Sequence, residues 1–103
     1  MNIENLISST KVYVLKLSTG EEIITRIQPL DNNFFSITKP MTVAFGPNGV
    51  QLMPSLFTAN HDDIHMLHKD NIVMMAEAKQ EVSDSYIESV TGIQPISKKI
   101  LHG

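Results

Sequence analysis

The sequence contains no cysteine. It can therefore form neither a disulfide framework nor a thiolate metal site, which fits a reducing compartment. It also lacks any apolar run approaching the roughly 20 residues that a membrane-crossing helix needs. Residues 1–10 carry no basic stretch ahead of an apolar core of the kind that directs export. The expectation is a soluble, cytoplasmic protein with no membrane partner. No Ser, His and carboxylate pattern of a hydrolase is present, no glycine-rich phosphate loop, and no carboxylate pair on a recognisable scaffold. No enzyme and no cofactor are expected. A basic face is missing too: the net charge is −3, with Lys and Arg scattered along the chain. That balance counts against a protein gripping nucleic acid mainly through its phosphates.

What is present is an ordinary globular composition, 42% apolar and 18% charged over 103 residues. It lies far from the polar, highly charged corner where chains stay disordered, and it suits one domain. We place that domain at residues 1–92 and read 93–103, with Pro95 and the Lys98-Lys99 pair, as a flexible tail. Ile3, Leu6 and Ile7 share one side of a short N-terminal helix over residues 2–9. From Lys11 to Ser18 the period becomes two, with Tyr13, Leu15 and Leu17 on one face and Val12, Val14 and Lys16 on the other. Gly20 supplies a tight turn, and Glu22 to Gln28 returns as the second strand of a hairpin. Pro29 to Asn33 then makes a second turn.

Phe35, Ile37, Lys39, Met41, Val43 and Phe45 alternate with smaller or polar residues in one long strand interrupted by Pro40. Proline cannot donate to a ladder, so it belongs at an edge, a bulge or a bend. Gly46-Pro47-Asn48-Gly49 is the strongest turn signal, and Val50 to Thr58, with Pro54 near its middle, pairs back. Two long strands with a central proline each read as a bent pair. Ile64, Met66 and Leu67 lead into a last strand at 72–78, with Asn71 at the boundary. Val82, Tyr86 and Val90 recur at four-residue spacing in a short C-terminal helix, about 81–91, that Gly92 stops. The fold class is mainly β: a short N-terminal helix, a strongly bent five-stranded antiparallel sheet curled into a small barrel, and a short C-terminal helix. Such a sheet has two edges and a limited inner face, so self-association would help it.

The stretch from His61 to His68, with His65 and the acids Asp62 and Asp63, raises a metal hypothesis. Its spacing matches no established zinc arrangement, and on a strand His61 and His65 share a face that His68 does not. A polar turn with solvated histidines is the preferred reading, with no metal. Glu21 and Glu22 beside the first turn read as solvated charges. Met41, Met53, Met66, Met74 and Met75 read as core or interface filler.

The segment Val14-Leu15-Lys16-Leu17-Ser18-Thr19-Gly20-Glu21-Glu22-Ile23 resembles the opening of the first motif of the Sm and Sm-like family, and Asp31 falls where that motif carries its aspartate. Leu67-His68-Lys69-Asp70-Asn71-Ile72-Val73 resembles the second motif, an apolar residue, Arg-Gly-Asp or Arg-Gly-Asn, then Asn and two apolar residues. Here His68 stands in place of the arginine and Lys69 in place of the glycine. Phe35 occupies the position of the first motif's asparagine, with Asn32 and Asn33 coming early. The resemblance covers roughly residues 1–78; the Gly46 to Gly49 hairpin makes the middle longer than a minimal Sm domain, and a short variant of this kind resembles phage-encoded or environmental members more than eukaryotic or archaeal ones.

The resemblance implies a cyclic homo-oligomer in which the fourth strand of one copy pairs with the fifth of the next, leaving no exposed edge. It also implies single-stranded RNA as a partner, bound around the pore by stacking and amide hydrogen bonds. A ring concentrates a few basic groups from every copy, so a local positive field is compatible with net acidity. The matching motif positions are Asp31, His68, Asp70 and Asn71; Asn33, Phe35 and Lys69 are neighbours with suitable chemistry. Phe35 also reads as core, and His68 could stack on a base while Lys69 meets phosphate. A structural or protein-interaction ring without RNA is the competing expectation, favoured by the net acidity, the missing Arg-Gly pair and the displaced asparagine.

Overall fold

The computed structural model describes residues 6–60 and 62–91. Six strands and one α-helix follow in the order β1 (Tyr13–Leu17), β2 (Glu22–Pro29), β3 (Phe34–Gly46), β4 (Gly49–Pro54), β5 (Ile64–His68), β6 (Ile72–Glu77) and α1 (Gln80–Thr91). All pairings are antiparallel, and neighbours run β4-β3-β2-β1-β6, with β5 also on β3. The mainly β antiparallel sheet and the C-terminal helix match the expectation from sequence.

The first hairpin closes where Gly20 takes φ +92° and its N–H donates to the Leu17 carbonyl at 2.9 Å. A Cβ there would meet nothing within 4 Å, so the position selects glycine by backbone conformation alone. The second hairpin turns at Pro47-Asn48, with Gly46 opposite Gly49.

The 13-residue β3 organises the sheet. Its first half, Phe34 to Thr38, pairs with β5, and its second half, Met41 to Gly46, pairs with β4. β4 and β5 thus lie in succession on one side of β3, as a single long strand interrupted by residues 55–63. This corrects the expected strand from Val50 to Thr58: pairing stops at Pro54, and Leu56 and Phe57 are exposed. Five expected strands become six because Ile64 to His68, expected to lead into the last strand, pairs separately on β3 and is parted from β6 by the turn at Lys69–Asn71.

Between the two halves of β3 sits a bulge. Ile24 pairs with Met41 and Arg26 with Thr38, so Lys39 and Pro40 together oppose Thr25. Lys39 takes φ +49°, a conformation uncommon for a residue with a Cβ. The extra residue inverts the alternation that follows. Phe35 and Ile37 join Tyr13, Leu15, Ile23 and Ile27 in an inner core, whereas Met41 joins Val12, Ile24 and Tyr86 on the opposite face. The sequence reading put Phe35, Ile37, Met41 and Val43 on one face; the bulge divides them between two cores.

The outer core is roofed by α1. Val82, Tyr86, Ile87 and Val90 pack on Val12, Val14, Ile24, Met41, Val43 and Leu52, as the four-residue spacing predicts. Tyr86 is 1% exposed, and burying a side chain of that size contributes on the order of 2–3 kcal/mol.

Three expectations fare differently. Among the described residues the sheet is not closed: β6 ends one side and β4 with β5 the other, and no pairing joins them. The bulge bends the sheet without carrying it through full closure, so the expected small barrel is not formed within one chain. Among the described residues no α-helix precedes β1: beyond Leu6, residues 7–12 form turns and irregular chain. There the Ser8 N–H donates to the Tyr13 hydroxyl at 2.8 Å and the Lys11 N–H to the Ser8 carbonyl at 3.2 Å. Ile3 lies outside the described residues, as does the expected tail at 93–103. Among the described residues, no helix is long and apolar enough to cross a membrane.

Candidate functional site

The residues singled out from sequence come from two separate stretches, and the fold brings both to one end of the sheet. The β2–β3 turn carries Asp31 and Asn33, with Phe35 just inside β3; His68 ends β5, and the 3-10 turn Lys69–Asn71 carries Lys69, Asp70 and Asn71 and links β5 to β6. A backbone bond joins the two turns, from the Lys69 N–H to the Asn33 carbonyl at 2.8 Å. The β1–β2 turn closes the cluster from the third side. The Ser18 N–H donates to the Asn71 carbonyl at 2.7 Å, and the Ser18 hydroxyl faces the Asn71 Oδ1 at 3.4 Å.

Asp31 builds the first turn. Its Oδ1 accepts the N–H groups of Asn33 and Phe34, each at 2.8 Å, the local bonding for which short acidic side chains are favoured in turns. Those two backbone bonds hold its carboxyl below the usual aspartate range, with smaller help from the charges of Lys69 and His68. One oxygen is thereby committed to the turn. The Asn33 side chain is exposed while its carbonyl is tied down.

Phe35 does not offer a stacking surface. It is 2% exposed in the inner core, and the Lys69 ammonium lies 4.9 Å from its ring centroid, a cation–π contact. The residue the sequence reading missed is Phe34. Directly opposite His68 in the β3–β5 register, it meets that imidazole edge-on, with centroids 4.9 Å apart and planes at 68°. The His68 Nδ1 accepts the Asp70 N–H at 3.1 Å, leaving Nε2 to carry the proton of the neutral ring. Two partly exposed aromatic rings, a lysine and two amide side chains thus converge beside Asp31 and the exposed Asp70. Such a set can stack on a flat ring and exchange hydrogen bonds with its edge.

Among the described residues, no three His, Asp or Glu side chains come together to hold a metal ion; His61 lies outside them. Glu21 accepts the Thr42 hydroxyl at 3.0 Å on an exposed surface. Met41 and Met75 pack in or against the cores, while Met53, Met66 and Met74 are exposed.

The two open edges are the other candidate feature. Ile64 and Met66 on β5 are 66% and 65% exposed, and Val73 and Met74 on β6 are 58% and 69% exposed. Monomers seldom leave both sheet edges bare and apolar side chains beside each.

No known family model and no curated protein matches the sequence.

Proposed function

We propose that the chain is a subunit of a Sm-like ring of identical copies that binds single-stranded RNA. The carrying observation is the pair of open edges on one bent sheet, each flanked by exposed apolar residues. Pairing the β5 edge of one copy with the β6 edge of the next satisfies both rows of backbone groups and covers Ile64, Met66, Val73 and Met74. It also joins the sheets of neighbouring copies into one continuous sheet. The 3-10 turn Lys69–Asn71 joins those two edge strands, so every junction brings a copy of the Asp31, Asn33, Phe34, His68, Lys69 and Asn71 cluster with it. In this reading Phe34 and His68 stack on bases, Asn33 and Asn71 bond base edges, and Lys69 meets phosphate.

A second reading, a protein-interaction ring without RNA, is favoured by two observations: Asp31 spends an oxygen on its own turn, and Phe35 is buried. Fluorescence anisotropy with labelled U-rich and A-rich oligonucleotides separates the two. The RNA reading expects binding at low ionic strength that weakens as salt rises. Absence of binding at low salt eliminates it and leaves the interaction ring.

A further inference from the structure

The chain has one arginine, Arg26. It lies on β2 in the row Arg26–Thr38–Ile64 across β2, β3 and β5, with Gln28, Ser36 and Met66 in the next-but-one row. This is the outward face of the half-sheet whose inward side carries Ile27, Phe35 and Ile37. A pocket of about 340 Å³ opens there, lined by Arg26, Gln28, Ser36, Thr38, Ile64 and, from the chain before β1, Ser9. That volume lies within the roughly 300–1,000 Å³ of small-molecule sites.

The one charge in the lining, among the described residues, is positive. Arg26, Gln28, Ser9, Ser36 and Thr38 all have side-chain N–H or O–H donors, and among the described residues no carboxylate lines the pocket, although the protein is acidic overall. Arg26 makes no ion pair among the described residues. The floor is anchored at Thr38, whose carbonyl accepts the hydroxyls of Thr25 and Tyr86, both at 2.9 Å. Ser36 is 9% exposed, so its hydroxyl is largely sheltered from bulk water. A planar guanidinium flanked by hydroxyl and amide donors suits a tetrahedral oxyanion, which takes a bidentate pair from the fork and further bonds from the hydroxyls.

The geometry points to a phosphate-binding site at Arg26, separate from the Asp31 and His68 cluster and recognising the phosphate group of a nucleotide or of a nucleic-acid strand. The site does not depend on the RNA reading, because its donors suit a phosphate group whether free or within a strand.

The test is a titration of the full-length protein, followed by NMR at the Arg26 side chain and at the amides of Gln28, Ser36 and Thr38. The probes are inorganic phosphate, adenosine 5′-monophosphate and a short oligonucleotide without a terminal phosphate. Arg26 is exposed, so Arg26→Gln and Arg26→Lys should keep the wild-type melting temperature, which is measured alongside. Saturable shifts confined to this pocket are expected, with affinity falling about tenfold or more in Arg26→Gln and less in Arg26→Lys. If the oligonucleotide gives the same shifts, the source is a strand phosphodiester; if only phosphate and the mononucleotide do, it is a free phosphomonoester. No shift at millimolar phosphate, or equal affinity in Arg26→Gln, overturns the site. Oligonucleotide binding that persists in Arg26→Gln with unchanged affinity, while phosphate binding is lost, keeps the phosphate site and separates it from the RNA surface.

Discussion

The Tyr86 hydroxyl is shared between the carbonyl oxygens of Thr38, at 2.9 Å, and Lys39, at 3.0 Å. These carbonyls belong to the bulge that bends β3, where Lys39 takes its positive φ. The C-terminal helix therefore does more than cover apolar surface: its one buried tyrosine fixes the conformation that divides β3 between two cores. A strained backbone persists only where its surroundings hold it.

Tyr86→Phe tests that role. It keeps the ring in the outer core and removes the donor, leaving sheltered carbonyls less satisfied. A loss of about 1–2 kcal/mol is expected, read by urea denaturation and as a fall in melting temperature of several degrees. Burial also pushes the Tyr86 pKa above its ordinary value of 10.0, against a smaller opposing effect of the Arg26 charge. A raised folded-state pKa means that this stability is complete below the unfolded value and is lost as pH climbs through the folded one. The alkaline decline of the wild type should accordingly be shallower in Tyr86→Phe.

Asp31 has the opposite sign. Its pKa is lowered from 3.8 by the Asn33 and Phe34 N–H groups, so its contribution is present above the unfolded value and lost as pH falls through the folded one. Asp31→Asn retains an acceptor oxygen but no charge. Its stability is expected to vary less than that of the wild type below pH 4, as measured by denaturation midpoints over the acid range.

The edges allow a symmetrical experiment. Met74 on β6 and Ile64 on β5 are both exposed in the single chain, so Met74→Lys and Ile64→Lys should leave its stability within about 0.5 kcal/mol. Edge lysines oppose strand pairing. In a ring each edge meets the other, and either substitution alone should weaken assembly while circular dichroism stays native-like.

The sequence was most legible where local chemistry decides. The alternation through Tyr13, Leu15 and Leu17, the glycine turns and the Val82, Tyr86 and Val90 stripe all reappear as elements. It was least legible where a tertiary choice intervenes. Pro40 announces an irregularity, but only the register shows that one extra residue sends Met41 to the helix side. Leu56 and Phe57 prolong the apolar pattern of β4, yet the chain leaves β3 at Pro54. The choice between Phe34 and Phe35 as the outward aromatic depends on the strand's phase, which adjacent phenylalanines do not reveal. Arg26 sits in no local motif, and the donors around it are brought there by the pairing with β3.

Native mass spectrometry of the unmodified protein at micromolar concentration tests most directly whether the two open edges of the sheet meet each other across copies. A ring around a pore gives a single dominant species whose mass is an integer multiple of the 11.5 kDa chain, three copies or more. A dominant monomer at that concentration contradicts it.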